Sequence, residues 1–312
     1  MITYILKRLG WGVFVMVAAL TAVFFLMDLV GDPAAAALGP RSTEQARQAW
    51  RRENGYDKPA VFRYLKYMGG LLHGDLQKSN RTQQPVGEVV FTRLPRTVLL
   101  GAIAMCFELC IGLIIGVFAA VRRNTWFDTG VMATAFVGIS APTFLTGILF
   151  LNVLAFRLGW FPVGGYGVTF LDHIAHAILP AITLAIIGAA TYARIMRTEM
   201  AETLRSDYVR TARAKGLSPV RVVLAHGVRN AMLPIVTLIG LDLSLLVSGA
   251  IITEYIYAWP GIGRLAIEAL TSRDDFVVLG IVMIACATVQ VGNLLADLAI
   301  AGLDPRIRMG GT

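Results

Sequence analysis

Six apolar runs set the pattern of the chain, at about 9–30, 97–121, 129–156, 174–193, 233–256 and 277–300. Each is at least as long as the roughly 20 helical residues needed to cross a hydrocarbon core of about 30 Å, so the pattern predicts an all-α integral membrane protein with six transmembrane helices. Pro142 and Pro180 fall inside runs three and four. They predict kinks, because proline removes a backbone donor and the freed carbonyl must be met by a neighbouring helix or water. Two polar stretches interrupt the apolar order. The first, 31–96, contains STEQARQAWRRENG and PAVFRYLKYMGGLL. Both read as short amphipathic helices lying over the membrane surface or capping the bundle, the former with Ser42 as its N-cap. The second stretch, 194–232, contains DYVRTARAKGLSPVRVV at 207–223.

Composition agrees with the hydropathy pattern. Of the 312 residues, 56% are hydrophobic and 15% charged, against roughly a quarter charged in soluble domains. The net charge of +8 would suit nucleic acid only on a water-soluble face, whereas most of these cations flank apolar runs. Counted over the short loops, one side holds fourteen Lys and Arg: Lys7, Arg8, Arg122, Arg123, eight from Arg194 to Arg229, and Arg306 with Arg308. The other side holds Arg157, Arg264 and Arg273. The asymmetry predicts both termini in the cytoplasm and the segment 31–96 outside. The uncharged apolar stretch from Leu9 to Met27 is followed by acidic Asp28 and not by a small-residue cleavage site, so the first run reads as a span, not a removed leader.

In the polar stretch, Asp207 is suited to cap a short helix from Tyr208 to Lys215, Gly216 to its C′ position, Ser218 to a second N-cap and Pro219 to the following first turn. The result is a helix–turn–helix corner on the cytoplasmic side. One reading makes its arginines a positive-inside anchor. Another makes it a docking element, with small Ala212 and Ala214 and the aromatic knob of Tyr208 entering a partner's groove.

Within the spans, Glu108, Asp242 and Asp297 each carry an insertion cost of about 2.5–3.5 kcal/mol if charged at the bilayer centre, and so are expected to face protein or water. Glu108 and Asp242 are candidates for a translocation path or gate, with interhelical hydrogen bonding the plainer role. Asp297 is expected to snorkel or pair with an inner-leaflet arginine. His173 and His176 share a helical face but lack a matching carboxylate or thiol, so ordinary interfacial histidines are expected there. Trp160, Tyr166, Tyr255, Tyr257 and Trp259 read as an outer aromatic belt, and WPGIG (259–263) as a turn. Gly112, Gly116 and Gly249 suit either close helix packing or a narrow path. Cys106, Cys110 and Cys286 lie in apolar runs without C-x-x-C spacing and read as packing residues. No G-x-x-x-x-G-K-[ST] phosphate loop, G-x-S-x-G or H-E-x-x-H occurs, which argues against ATP hydrolysis or peptide-bond chemistry on this chain. An ion-coupled carrier using Glu108 and Asp242 is a further reading, though no inverted repeat supports it.

TARAKGLSPVRVVLAHGVRNAMLPIV resembles the cytoplasmic EAA motif of permease subunits from bacterial binding-protein-dependent ATP-binding-cassette (ABC) importers. GDPAAAALGP, LLHGDL, EYIYAWPGIGRL and DLAIAGLDPRIR resemble, in family order, the branch that imports dipeptides and oligopeptides. Gly216 takes the motif's glycine and Ala212 its second alanine; Arg210 and Thr211 stand where the consensus has glutamate and its first alanine. The resemblance implies an ABC type I importer permease fold with an N-terminal span at 1–30, an extracytoplasmic segment at 31–96, a permease core at 97–303 and a cytoplasmic tail at 304–312. It also implies that 207–223 is a coupling element in which Tyr208, Arg210, Thr211, Ala212, Ala214, Lys215, Gly216, Leu217 and Ser218 meet an ATPase. By the same resemblance the chain binds no cofactor, ATP and Mg belong to two partner ATPase subunits, and a second homologous permease subunit and an extracytoplasmic solute-binding protein complete an alternating-access transporter of the cytoplasmic (inner) membrane. Peptides are the implied cargo; nickel complexes, opines, glutathione and oligosaccharides are the alternatives in similar importers.

Overall fold

The structure is a computed structural model that describes residues 2–39, 41–245 and 250–303. Gly249, Arg306, Arg308 and the tail at 304–312 lie outside the described residues. Helices account for nearly all regular structure; among the described residues the only extended pairing is an isolated bridge between Lys78 and Pro85. Four helices are long and apolar enough to cross a membrane, Leu6–Leu29, Val86–Val121, Phe170–Thr203 and Asp275–Leu295. Two bent pairs bring the number of spans to as many as six. Chain contacts separate the protein into one unit of Met1–Thr97 with Pro260–Val291 and another of Val98–Trp259 with Gly292–Thr312.

In the first unit, α1 (Ile2–Leu29) leads into α2 (Pro33–Leu38), α3 (Glu44–Glu53), α4 (Ala60–Leu72) and α5 (Val86–Phe91). Asp32 caps α2, accepting from the Ala34 N–H at 3.1 Å, with Pro33 at N1. Thr43, not Ser42, caps α3, accepting from the Ala46 N–H at 3.3 Å, while Ser42 Oγ donates to the Gly39 carbonyl. The expected cap is thus one residue too early, since adjacent Ser and Thr are equivalent until backbone geometry selects one. Helix α4 lays Tyr64, Tyr67, Met68 and Leu71 against Leu20 and Phe24 of α1, and leaves Val61, Phe62 and Leu65 exposed on its other face. It therefore packs on the first span as the amphipathic pattern implies.

In the second unit, α6 (Leu94–Val121) contributes its length from Val98 onward. Helix α7 (Trp126–Ser140) is followed by α8 (Thr143–Phe150), which continues as a π-helical turn, Leu151–Arg157. The α7 and α8 arms meet at 100°, so the apolar run expected as one span is two sharply angled pieces. Pro142 supplies the break: Ala141 before it is extended, with φ −75° and ψ 123°, as the proline ring requires. By contrast α9 (Phe170–Thr203) remains one helix through Pro180. Helix α9 is the central element and packs with α6, α7 and α8. Added Cβ atoms at Gly112 and Gly116 of α6 would lie 2.7 Å from the Ala189 and Ala193 carbonyl oxygens of α9, so these glycines let two backbones approach. The chain then forms α10 (Asp207–Ala214), α11 (Pro219–Arg221) with a π-helical turn Val222–Val228, α12 (Arg229–Leu245) and α13 (Ile251–Ile256). In the first unit, α14 (Ile262–Thr271) and α15 (Asp275–Leu303, to Val291 in that unit) complete the fold.

The aromatic belt needs correction at two positions. Trp160 and Tyr255 are exposed as expected, but Tyr257 and Trp259 are buried. Ala258 adopts φ +50° after α13, and the Trp259 N–H donates back to the Glu254 carbonyl at 2.8 Å. This left-handed turn carries Trp259 into a cluster with Leu100, Ala104, Ala177 and Ala181. The Tyr257 hydroxyl donates to the Gly147 carbonyl at 3.0 Å and lies 2.8 Å from Thr183 Oγ1, satisfying its polar end in the interior.

Candidate functional site

The corner at 207–223 begins with Ser206 at the N-cap of α10, which places Asp207 at the first helical position and not at the cap. Ser206 Oγ donates to the Thr203 carbonyl at 2.6 Å, tying the corner to the end of α9. Asp207 is exposed and pairs with Arg210 at 3.2 Å one turn later. At the other end Gly216 takes φ +78°. Its N–H donates to the Arg213 carbonyl at 2.9 Å and the Leu217 N–H donates to that of Ala212 at 3.4 Å. These two bonds form a Schellman motif, and only glycine enters the left-handed position without strain. Ser218 then stands at the N-cap of α11 with Pro219 at N1, as the sequence implies.

The burial pattern divides the corner into two faces. Val209, Ala212 and Val222 are buried together, with Leu204 and Leu217 packed against them. Ala212 therefore closes the chain's own small core, in contrast to its expected insertion into a partner. Its periodicity is shared by both fates, and only the neighbouring π-helical turn decides between them. Tyr208, Arg210, Thr211, Ala214, Lys215, Gly216 and Ser218 are exposed, while Leu217 is half-buried. With Arg213, which is exposed as well, the free face thus carries an aromatic ring, three cations and an open glycine turn.

A second feature lies among the spanning helices of the same unit. Glu108 of α6 and Asp242 of α12 line one cavity of about 340 Å³, together with Thr143, Thr191 and Tyr192. The Tyr192 hydroxyl donates to Asp242 Oδ2. Gly188 of α9 lies directly against the Glu108 carboxylate, where a side chain would collide with it. Two of the three acidic residues singled out by insertion cost, Glu108 and Asp242, are therefore neighbours in space.

One polar pair is legible only in three dimensions. Asp128 is 3% exposed and takes a two-pronged ion pair from Arg197, with Nε to Oδ1 at 2.9 Å and Nη2 to Oδ2 at 2.6 Å. The Asn124 N–H adds 2.9 Å to Oδ2. Arg197 counts in the sequence only as one of many inner-side cations; its signal is an acid at the third position of α7, behind the Thr125 cap. His173 and His176 direct their Nδ1 atoms to the Tyr166 and Asp172 carbonyl oxygens, each at 2.7 Å. Among the described residues no group of three or more potential ligands could hold a metal ion. Cys106 and Cys110 are exposed on α6 with sulfurs 4.0 Å apart.

A family described as "Binding-protein-dependent transport system inner membrane component" matches residues 112–309, and its N-terminal counterpart matches 1–101. The chain belongs to this permease family. The permease is 36% identical to the oligopeptide transport system permease protein AppB of Bacillus subtilis, over 98% of this chain and 99% of that one. It is 39% identical to the dipeptide transport system permease protein DppB of Escherichia coli K12, over 99% of each. Among solved structures, the MetNI methionine ABC transporter in its inward-facing form matches with a TM-score of 0.55 at 17% identity, covering 69% of this chain and 96% of that one. The permease therefore has the type I ABC importer fold, and it is a multi-pass inner-membrane protein of a system that also includes an ATPase and a binding protein. Family membership sets aside the ion-coupled carrier as an account of Glu108 and Asp242.

Proposed function

We propose that this chain is a transmembrane subunit through which dipeptides or oligopeptides enter a bacterium, by alternating access driven from outside the chain. The near full-length likeness to relatives named for oligopeptide and dipeptide transport carries the reading. The chain pairs with a second, similar permease subunit; two cytosolic ATPase subunits hold ATP and Mg, and an extracytoplasmic solute-binding protein delivers the cargo. The chain has no catalytic role and no cofactor of its own. Both termini and the corner at 207–223 face the cytoplasm, in keeping with the charge asymmetry of the loops.

The corner is the coupling element. Its exposed face, Tyr208, Arg210, Thr211, Ala214, Lys215, Gly216 and Ser218, offers an aromatic anchor and cations to an ATPase cleft, and its packed face transmits displacement into α9 through Val209, Ala212 and Leu204. Rigid packing converts movement at the corner into reorientation of helices around the Glu108–Asp242 cavity. In the reconstituted complex, Tyr208→Asp is expected to preserve insertion and assembly while removing stimulation of the ATPase by loaded binding protein. Gly216→Val, strained at φ +78°, has the same expected effect. Full stimulation in both variants would refute the assignment.

A further inference from the structure

An apolar groove of about 640 Å³ runs over α9 in the second unit, between α6 and α7. Its only hydroxyls, those of Thr134 and Thr146, donate to the Gly130 and Pro142 carbonyls of their own helices at 2.9 and 3.3 Å. Nothing in the lining therefore calls for a polar ligand. Along α9 the lining extends from Ala193 to Ile182, about 16 Å at a rise of about 1.5 Å per residue. That is the depth of one leaflet, half of a hydrocarbon core of about 30 Å. At the far end the chain breaks beyond Ala141, the α8 arm sets off at 100° to α7, and Thr146 of α8 joins the lining. A spanning helix of a neighbouring subunit needs about twice this length, whereas a single acyl chain of one leaflet needs no more.

The near end has the features of a headgroup layer. Trp126, at the first position of α7, lines the groove and is 93% exposed, as tryptophan is at the boundary between hydrocarbon and water. Phe127 lines the groove too, and the Arg122 guanidinium stands over its ring, 5.4 Å from the centroid. Arg194 is exposed one turn beyond Ala190, on the face of α9 that lines the groove. The two helix ends that carry these arginines are tied by the Asp128–Arg197 pair, which also occupies both oxygens of Asp128. Among the described residues neither Arg122 nor Arg194 is held in an ion pair. An apolar slot one leaflet deep thus opens at a mouth with uncompensated positive charge.

We propose that the groove seats one acyl chain of an anionic phospholipid, whose phosphate group meets Arg122 and Arg194. Basic residues at the mouth of a cleft between spans are the means by which proteins hold such headgroups, and the apolar walls add the burial of the chain. The site needs only that the protein crosses a bilayer, so it stands apart from the cargo and from the corner at 207–223.

The test uses the full chain in its assembled complex, in phosphatidylcholine nanodiscs doped with phosphatidylglycerol brominated near the headgroup end of its chains. Tryptophan emission is expected to be quenched more than by brominated phosphatidylcholine at equal dose, and Trp126→Phe to remove that difference. Arg122→Gln and Arg194→Gln are each expected to weaken the preference about fivefold, the weight of one cation at an anionic surface. Gly130 lines the groove and an added Cβ there meets nothing within 4 Å, so Gly130→Leu fills the slot and is expected to abolish the excess quenching. Arg157→Gln, at the opposite end of the spans, leaves it unchanged. Should Gly130→Leu reduce the yield of assembled complex, the two arginine variants decide alone. Equal quenching by the two lipids, or an excess indifferent to both arginines, would overturn the site. So would crosslinking of Gly130→Cys to the second permease subunit, which would make the groove a contact between subunits. Stimulation of the ATPase in the same discs reads the transport function separately.

Discussion

At the scale of single residues, the cavity shared by Glu108 and Asp242 carries a direct prediction. Tyr192 donates to Asp242, and Glu108 stands against the bare backbone of Gly188, so only Asp242 has a partner that would hold it in place through a conformational change. Glu108→Gln is therefore expected to change the transport rate of the reconstituted complex more than Asp242→Asn. Uptake of labelled peptide into proteoliposomes at fixed ATP checks it, and unchanged rates in both variants would return the pair to interhelical packing. The cost of a charge in the bilayer made these two residues visible in the sequence. Their meeting was not visible, since nothing in a linear pattern says which faces of α6 and α12 confront each other. Asp128 and Arg197 illustrate the same limit. They lie 69 residues apart, and each alone looks like an ordinary loop-proximal charge.

Among helices, the decisive approach is that of α6 to α9. Gly112 and Gly116 are one turn apart, and each faces a carbonyl oxygen and a Cβ of α9 at distances that leave no room for a side chain. Gly116→Val is expected to push the helices apart, costing about 1–3 kcal/mol as overpacked cores do. A lowered unfolding temperature in detergent, with less assembled complex at equal expression, is the readout. Gly10 has open space around it, so Gly10→Ala is the matched control and is expected to leave both unchanged. Spacing alone left packing and path equally open for these glycines, and the backbone of α9 resolves the choice. The corner differs, because its capping residues act within a few positions of one another. Gly216, Ser218 and Pro219 were legible for that reason, while the one-residue errors at Ser206 and Thr43 came from neighbouring residues of equal capping ability.

Across the whole molecule, the segment after the first span is held by charge as well as by grease. Arg51 reaches Asp32 at 2.5 Å and Glu44 at 3.2 Å, and its hydrogen bond is the chief reason the Asp32 carboxyl lies below its ordinary value of 3.8. A depressed carboxylate contributes stability that is present above the ordinary value and is lost as pH falls through the lower, folded one. Limited proteolysis of the α2–α3 region is thus expected to stay slow at neutral pH and accelerate below about pH 4. In Asp32→Asn, proteolysis should already be faster at neutral pH and the acid step smaller. An identical acid profile in wild type and variant would show that the pair is not responsible.

What the amino-acid order determined by itself is the class of protein and the places where its helices lie, because hydropathy and capping act over a few residues and need no knowledge of the rest of the chain. The 3.6-residue period, the cations of the loops and the Gly-Leu-Ser-Pro break are of this kind. Tertiary structure alone decided which small residues separate helices, why Trp259 turns inward and which acids share a cavity. Ser79 and Asn80, for example, both donate to the carboxylate of Asp274, 195 and 194 residues away. Such contacts join positions whose separation in sequence carries no period, so only the folded chain could bring them into view.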